Sequence, residues 1–200
     1  MKQSLSGILR STIAVKKWME KCPSVDRVRP AKCPRCDHAA REPGRTLGLH
    51  GHGTRTRQLR GPIVVGVPPQ ETEIQIRRYH CQHCGATITV GPSGVLTRRL
   101  FTAMAIGLAL ALWSRGQSDA MVRRQVSPWQ VVGATAQARW NALRRWALAA
   151  SAGELWPSIR LMVEWTRRQI AKRVSTILMS RGPPSDCDET RVFMGAAHVA

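Results

Sequence analysis

A mixed α+β chain, with a small strand-rich region leading into a helical bundle, is the fold class this sequence predicts. Three observations lead there. Between residues 31 and 90, short β-branched runs alternate with turns rich in Gly and Pro. After Gly91-Pro92-Ser93-Gly94 the apolar spacing changes to a helical one. Two Cys-x-x-Cys pairs, Cys33/Cys36 and Cys81/Cys84, frame the strand-rich stretch. They supply the fixed points that a sheet too small to bury its own core requires.

Taken in order, residues 1–29 read as a basic amphipathic helix. Leu5, Ile8, Leu9, Thr12, Val15 and Met19 recur at helical spacing, with Arg10, Lys16, Lys17 and Lys21 off that stripe and Pro23 and Pro30 ending it. Residues 30–94 form the strand region, with strands expected at Thr54–Arg60, Ile63–Val67, Glu73–His80 and Thr87–Val90. In the third strand Ile74, Ile76 and Arg78 share one face, and Glu73, Gln75, Arg77 and Tyr79 share the other. Residues 95–153 predict a helical bundle, with helices near 98–114, 118–126 and 128–150; Ser127-Pro128 opens the third, and Gly133 can delay its start to Ala134. Residues 154–181 predict one more amphipathic helix, near 158–180, striped by Ile159, Met162, Val163, Thr166, Ile170, Val174 and Ile177. Residues 182–200 read as a mobile tail.

The cysteine spacing carries the most specific chemistry. Each Cys-x-x-Cys turn aims two thiolates at one point, and two such turns separated by strands make the four-sulfur tetrahedral cage of a zinc ribbon. Cys33, Cys36, Cys81 and Cys84 are therefore the expected ligands of a structural Zn2+, which supplies the folding energy that the small sheet lacks. Gly85 permits the tight backbone after the second pair. A thioredoxin-like redox pair needs a single Cys-x-x-Cys at a strand–helix junction, and four cysteines leave no open position for catalytic zinc. His38, His80 and His83 lie near the knuckles; Cys22 and Cys187 read as ordinary thiols.

Charge narrows the partner. Thirty-one Lys+Arg against twelve Asp+Glu leaves a net charge of +19, and 25 of the 31 are Arg. Forked guanidinium donors suit phosphates and base edges, so nucleic acid is the expected partner, with duplex DNA favoured. The 43% hydrophobic content and seven Trp exclude a purely disordered basic tail. The apolar run Leu100–Trp113 falls short of the ~20 residues of a membrane span. With no apolar signal segment at the N-terminus, the chain reads as cytoplasmic, without a membrane role, and with reduced thiols.

The short helix 118–126 and the longer one after 128 predict a helix-turn-helix. On the longer one, Gln137, Asn141, Arg144 and Arg145 form a polar arc opposite Ala136, Trp140, Leu143, Trp146, Ala147 and Ala150, and these side-chain types read base edges. Arg123 and Arg124 on the short helix, with Arg55, Arg57 and Arg77 in the strand region, are the expected phosphate contacts. The apolar stripes on the first and last predicted helices leave a protein partner or self-association open.

Several of these motifs also resemble those of bacterial zinc-ribbon proteins linked to mobile elements, and of the N-terminal zinc-finger region of insertion-sequence transposases. They are Cys33-Pro34-Arg35-Cys36; Gly51-His52-Gly53-Thr54-Arg55-Thr56-Arg57; Arg77-Arg78-Tyr79-His80-Cys81-Gln82-His83-Cys84 with Thr87-Ile88-Thr89-Val90; and Arg139-Trp140-Asn141-Ala142-Leu143-Arg144-Arg145-Trp146. The resemblance covers about residues 31–150. It implies zinc in the ribbon and recognition of element DNA. A transposase of the usual kind also carries three carboxylates on a separate nuclease domain, for which no room remains after residue 150. The expectation is a non-enzymatic DNA-binding accessory, regulator or truncated relative, with a transposase or a second copy as its protein partner. An RNA-binding ribbon and a protein-interaction module are the alternatives.

Overall fold

The computed structural model describes residues 7–161 and 164–200, with the side chains of Thr135 and Gln137 also left out. Leu5, Met162 and Val163 of the expected stripes lie outside the described residues. The fold is mixed α+β: a four-stranded sheet and, among the described residues, six helices. The chain divides into two compact units, Met1–Gln58 with Glu73–Arg98, and Leu59–Thr72 with Arg99–Ala200.

In the first unit, β1 (Ile8–Ala14) leads into the short helix α1 (Val15–Glu20) and a 3-10 turn at Asp26–Val28. The continuous amphipathic helix expected over 1–29 is thus corrected to a strand and a short helix. The segment Ile-Leu-Arg-Ser-Thr-Ile-Ala is rich in β-branched residues, and strand pairing overrides a helical stripe that it also satisfies. β1 runs parallel to β4 (Thr87–Ser93), with Ile8 opposite Thr89 and Arg10 opposite Gly91. β2 (Leu49–Gly61) and β3 (Gln70–Cys81) complete the order β1-β4-β3-β2. The strand expected at Ile63–Val67 is instead part of the connection between β2 and β3.

One face of this sheet is covered by the segment that follows β1. Trp18 Nε1 donates to the Gln75 carbonyl at 2.7 Å, Arg77 Nε to the Pro23 carbonyl at 2.7 Å and the Tyr79 hydroxyl to the Val25 carbonyl at 2.6 Å. Val15, Trp18, Val28, Tyr79, Ile88 and Val90 are buried.

In the second unit, α2 (Ala103–Ser114) is buried along nearly its whole length and capped by Thr102, whose hydroxyl accepts from the Ala105 N–H. A four-residue link, with Gly116 at φ 94°, leads to α3 (Asp119–Val126), capped by Ser118. Then come a 3-10 turn at Gly133–Gln137, α4 (Asn141–Ser151), α5 (Arg167–Arg181) and α6 (Asp188–Val199). The long helix expected over 128–150 starts only at Asn141: Gly133 takes a φ of 70°, which breaks helical geometry. The helix expected from 158 starts at 167, where Thr166 and Gln169 form a reciprocal capping box.

The expected mobile tail over 182–200 is corrected too. It carries α6, with Val192, Phe193 and Ala196 buried. Gly195 and Gly182 allow this helix and the preceding one to approach backbone to backbone, because a Cβ on Gly195 would run into the Leu178 carbonyl. Phe101, Trp140 and Trp146 meet edge-to-face, with centroids 5.0 to 6.0 Å apart, which anchors α4.

Candidate metal centre and basic surfaces

The two Cys-x-x-Cys turns are built alike. At the first, the Asp37 N–H donates to the Cys33 carbonyl at 2.8 Å and the Cys33 N–H to the His38 carbonyl at 2.9 Å. At the second, the Gly85 N–H donates to the Cys81 carbonyl and the Cys81 N–H to the Ala86 carbonyl, both at 2.9 Å. The residue after each second cysteine is left-handed, Asp37 at φ 58° and Gly85 at φ 69°. This reversal turns amides toward sulfur. The His38 N–H reaches Cys36 Sγ, the Ala86 N–H reaches Cys84 Sγ, and the N–H groups of Cys84 and His83 reach Cys81 Sγ.

The twin turns bring the four Sγ atoms within 4.8 Å of one another. Cys33 and Cys84 are 3.7 Å apart, as are Cys36 and Cys81. A tetrahedron with Zn–S bonds of about 2.3 Å has edges of about 3.8 Å. Disulfide sulfurs would lie at about 2.05 Å. The cluster can therefore hold a metal ion such as zinc, and it is the only group of three or more potential ligands among the described residues.

Without metal, crowding divides the thiols. The His38 N–H draws Cys36 down, but burial and the three neighbouring cysteines push it up to about 12. Burial raises Cys81, but the Cys84 and His83 amides bring it down to about 7. Beside the cage, His38 and His83 stack in parallel with centroids 4.6 Å apart. They line a cleft of about 250 Å³ with Glu42, Arg45 and Gln82.

No family model, curated protein or solved structure matches this chain.

Arg55 is exposed on β2, but Arg57 donates to the Leu96 carbonyl at 2.7 Å. Arg77 is bound to the Pro23 carbonyl on the covered face, so neither Arg57 nor Arg77 projects into solvent as a phosphate contact should. The sequence-based reading missed Arg78, which the pairing Arg78–Thr89 places on the opposite face of β3 from Arg77.

In the second unit, Arg124 is exposed and Arg123 half-buried, and both line a cleft of about 110 Å³ with Ala120, Trp129, Val131 and Ala136. Arg123 Nε is buried without a hydrogen-bond partner among the described residues. The Arg60 guanidinium lies over the Trp129 ring at 4.0 Å and is paired with Glu71 at 2.9 Å.

The four-residue arc expected on one helix is not assembled. Gln137 falls in the 3-10 turn, ahead of α4. Asn141 and Arg145 are exposed on α4. Arg144 is turned inward, with Nη1 at 2.7 Å from Asp119 Oδ2, and lies 5.6 Å from the Trp113 ring. Asp119 also accepts the Trp140 N–H at 2.9 Å. Burial raises the Asp119 carboxyl, but the Arg144 guanidinium and the Trp140 amide outweigh it and hold the group below its usual range. Arg144 thus joins α3 to α4.

The intended helix-turn-helix pair is also altered. Residues 127–140 separate α3 from α4, where that motif uses a turn of about 3–4 residues. A link of that length joins α2 to α3 instead.

Proposed function

We propose that this chain is a non-enzymatic, zinc-dependent nucleic-acid-binding protein, with duplex DNA as its favoured partner. The observation that carries the reading is the twin-knuckle four-sulfur cluster, sized for zinc, in a chain of net charge +19. Zinc would be held by Cys33, Cys36, Cys81 and Cys84 as a closed structural site. It would supply cross-linking and no chemistry, because four thiolates fill a tetrahedral ion.

The distribution of acid supports binding over catalysis. Asp26, Asp37, Glu42, Glu71, Asp119 and Glu154 each face a basic side chain within 4.0 Å, and Asp188 and Glu189 share Arg115. They are dispersed, and unsuited to hold the two ions of a nuclease centre. On the helical unit the contact would run through Arg123 and Arg124 of α3 with Asn141 and Arg145 of α4. The exposed Arg145 and Arg124 are the side chains able to reach DNA without breaking an internal pair. An accessory or regulatory place in transposition rests on the motif resemblance alone.

The test is a titration of the zinc-loaded chain against a labelled duplex, with structured RNA as competitor at one salt concentration. Duplex binding that RNA displaces only in excess supports the reading. Preference for RNA would replace DNA with RNA, and absence of binding to either would refute it.

A further inference from the structure

We infer that the polar end of the second sheet face in the first unit, the face that bears Arg55 and Arg78, is a clamp for the phosphodiester backbone of a duplex. Register defines that face. Gln75 Nε2 donates to Thr56 Oγ1 at 2.9 Å, so Thr56 and Gln75 share the covered side. Their neighbours in the alternation, Arg55 on β2 and Arg78 on β3, therefore share the other side. Gly53, at φ 76°, is where the β2 alternation slips by one residue. Past that slip His52 meets His80, with ring centroids 5.7 Å apart. On β4, Thr89 is paired with Arg78 and Thr87 with His80. The face thus gathers two guanidiniums, two imidazoles and two hydroxyls from three adjacent strands.

Its chemistry selects the ligand. Arg55 and Arg78 have no carboxylate partner among the described residues. By the same alternation Glu73 lies with Gln75, on the covered side. Each of these six groups can donate a hydrogen bond, which suits phosphate oxygens. The larger aromatics of the first unit, Trp18 and Tyr79, both lie on the covered side, so the two imidazoles are the only rings among the described residues of this face on which a splayed base could stack. The strip is bounded at one end, where Ile74 and Ile76 on the same face are buried, Arg57 is tied to Leu96 and both Val95 and Leu96 are buried.

This inference rests on the duplex-binding reading above, and its experiment separates the two. The zinc-loaded full chain is titrated with two 30-base-pair duplexes of unrelated sequence between 50 and 200 mM salt. Each phosphate contact contributes about 0.9 to the log–log salt slope. The double variant R55A/R78A should flatten the slope by about 1.8, equally on both duplexes, and R55K/R78K should restore it. Zinc content and the melting curve confirm that each variant is folded. An unchanged slope in a folded R55A/R78A protein that still binds duplex overturns the clamp and leaves the wider reading standing. Tighter binding of single-stranded DNA than duplex also overturns it. Failure of the unaltered protein to bind any nucleic acid overturns both.

Discussion

Replacing Asp119 by Ala removes a group that ties the start of α4 to α3. Its Oδ2 accepts both the Arg144 guanidinium at 2.7 Å and the Trp140 amide at 2.9 Å, and its side chain is 12% exposed. A hydrogen bond to a charged group contributes about 1.5–3 kcal/mol. The Arg144 side chain keeps 31% exposure, so water replaces part of what it loses. The net cost should be about 2–4 kcal/mol, or roughly 8–16 °C in the melting of the helical unit at about 4 °C per kcal/mol. Differential scanning calorimetry of D119A, R144A and the double variant measures it. Because the two side chains share one interaction, the double variant should cost little more than the worse single one. The pair also has a pH signature. The folded Asp119 carboxyl is held below the ordinary aspartate range by Arg144 and the Trp140 amide, so its stabilisation is present above that range and fades as pH falls through the folded value. D119A should lack this acid-range loss. Additive single-variant costs, or an unaltered melting temperature for D119A, would refute the joint. The same logic separates two neighbours: R144A should lose stability, whereas R145A, exposed on α4, should lose duplex affinity with the melting curve unmoved.

Removing metal with a chelator should unfold the first unit, and C36S should do so without chelator, as read by far-UV circular dichroism and zinc content. Metal must bind thiolates, and Cys36 is pushed up to about 12 while Cys81 sits at about 7. Loading at pH 7 should therefore release at least about two protons, measured by calorimetry in buffers of different ionisation heat, and affinity should fall as pH is lowered. G85V should destabilise the zinc-loaded protein by about 1–2 kcal/mol, because its φ of 69° is left-handed with open space around it. D37G, at the matching position of the other turn, should be close to neutral, since relief of the left-handed strain offsets loss of the exposed Lys32 pair at 3.0 Å. G195A should cost about 1–3 kcal/mol or more, since its Cβ meets backbone at Leu178 that cannot rotate away.

The metal cluster was legible because its information is local: four cysteines at fixed spacing are sufficient to specify two turns and a cage. The same is true of the α3 start, where Ser118 serves as cap. What was not legible depended on distant segments. Alternation in Glu73–His80 correctly separates Ile74, Ile76 and Arg78 from Gln75, Arg77 and Tyr79, but it does not say which side another segment will cover. The three hydrogen bonds to residues 23–25 and Gln75 settle that, and they tie Arg77 to the covered side while Arg78 lies on the other. Arg144 has the sequence neighbourhood of a base reader, and only Asp119, 25 residues earlier, turns it inward. In 188–199, Val192, Phe193 and Ala196 were a helical stripe with acid in the first turn. The stripe was hidden because the preceding Gly-Pro-Pro reads as the end of order.

The basic face and the metal cage belong to one physical solution. A sheet with so few buried side chains would ordinarily satisfy its arginines with carboxylates, as the chain does for Arg29, Arg45 and Arg60. Arg55 and Arg78 are left without such partners. Unpaired charge of one sign on adjacent strands weakens a sheet, and a marginal core cannot absorb much of that. A structural zinc contributes on the order of 10 kcal/mol to folding, far more than the few tenths at stake in each unpaired guanidinium. Its ligands sit at the end of β3, in Cys81, and in the turn that follows, in Cys84. With zinc bound, the cross-link would fix the strand that bears Arg78 and His80 without calling on those side chains. With the strand backbone beneath them fixed, only the side chains themselves would lose order on meeting phosphate, and that lower ordering cost favours affinity. If so, the salt slope carried by Arg55 and Arg78 should vanish on chelation, while any contact made through Arg124 and Arg145 survives it.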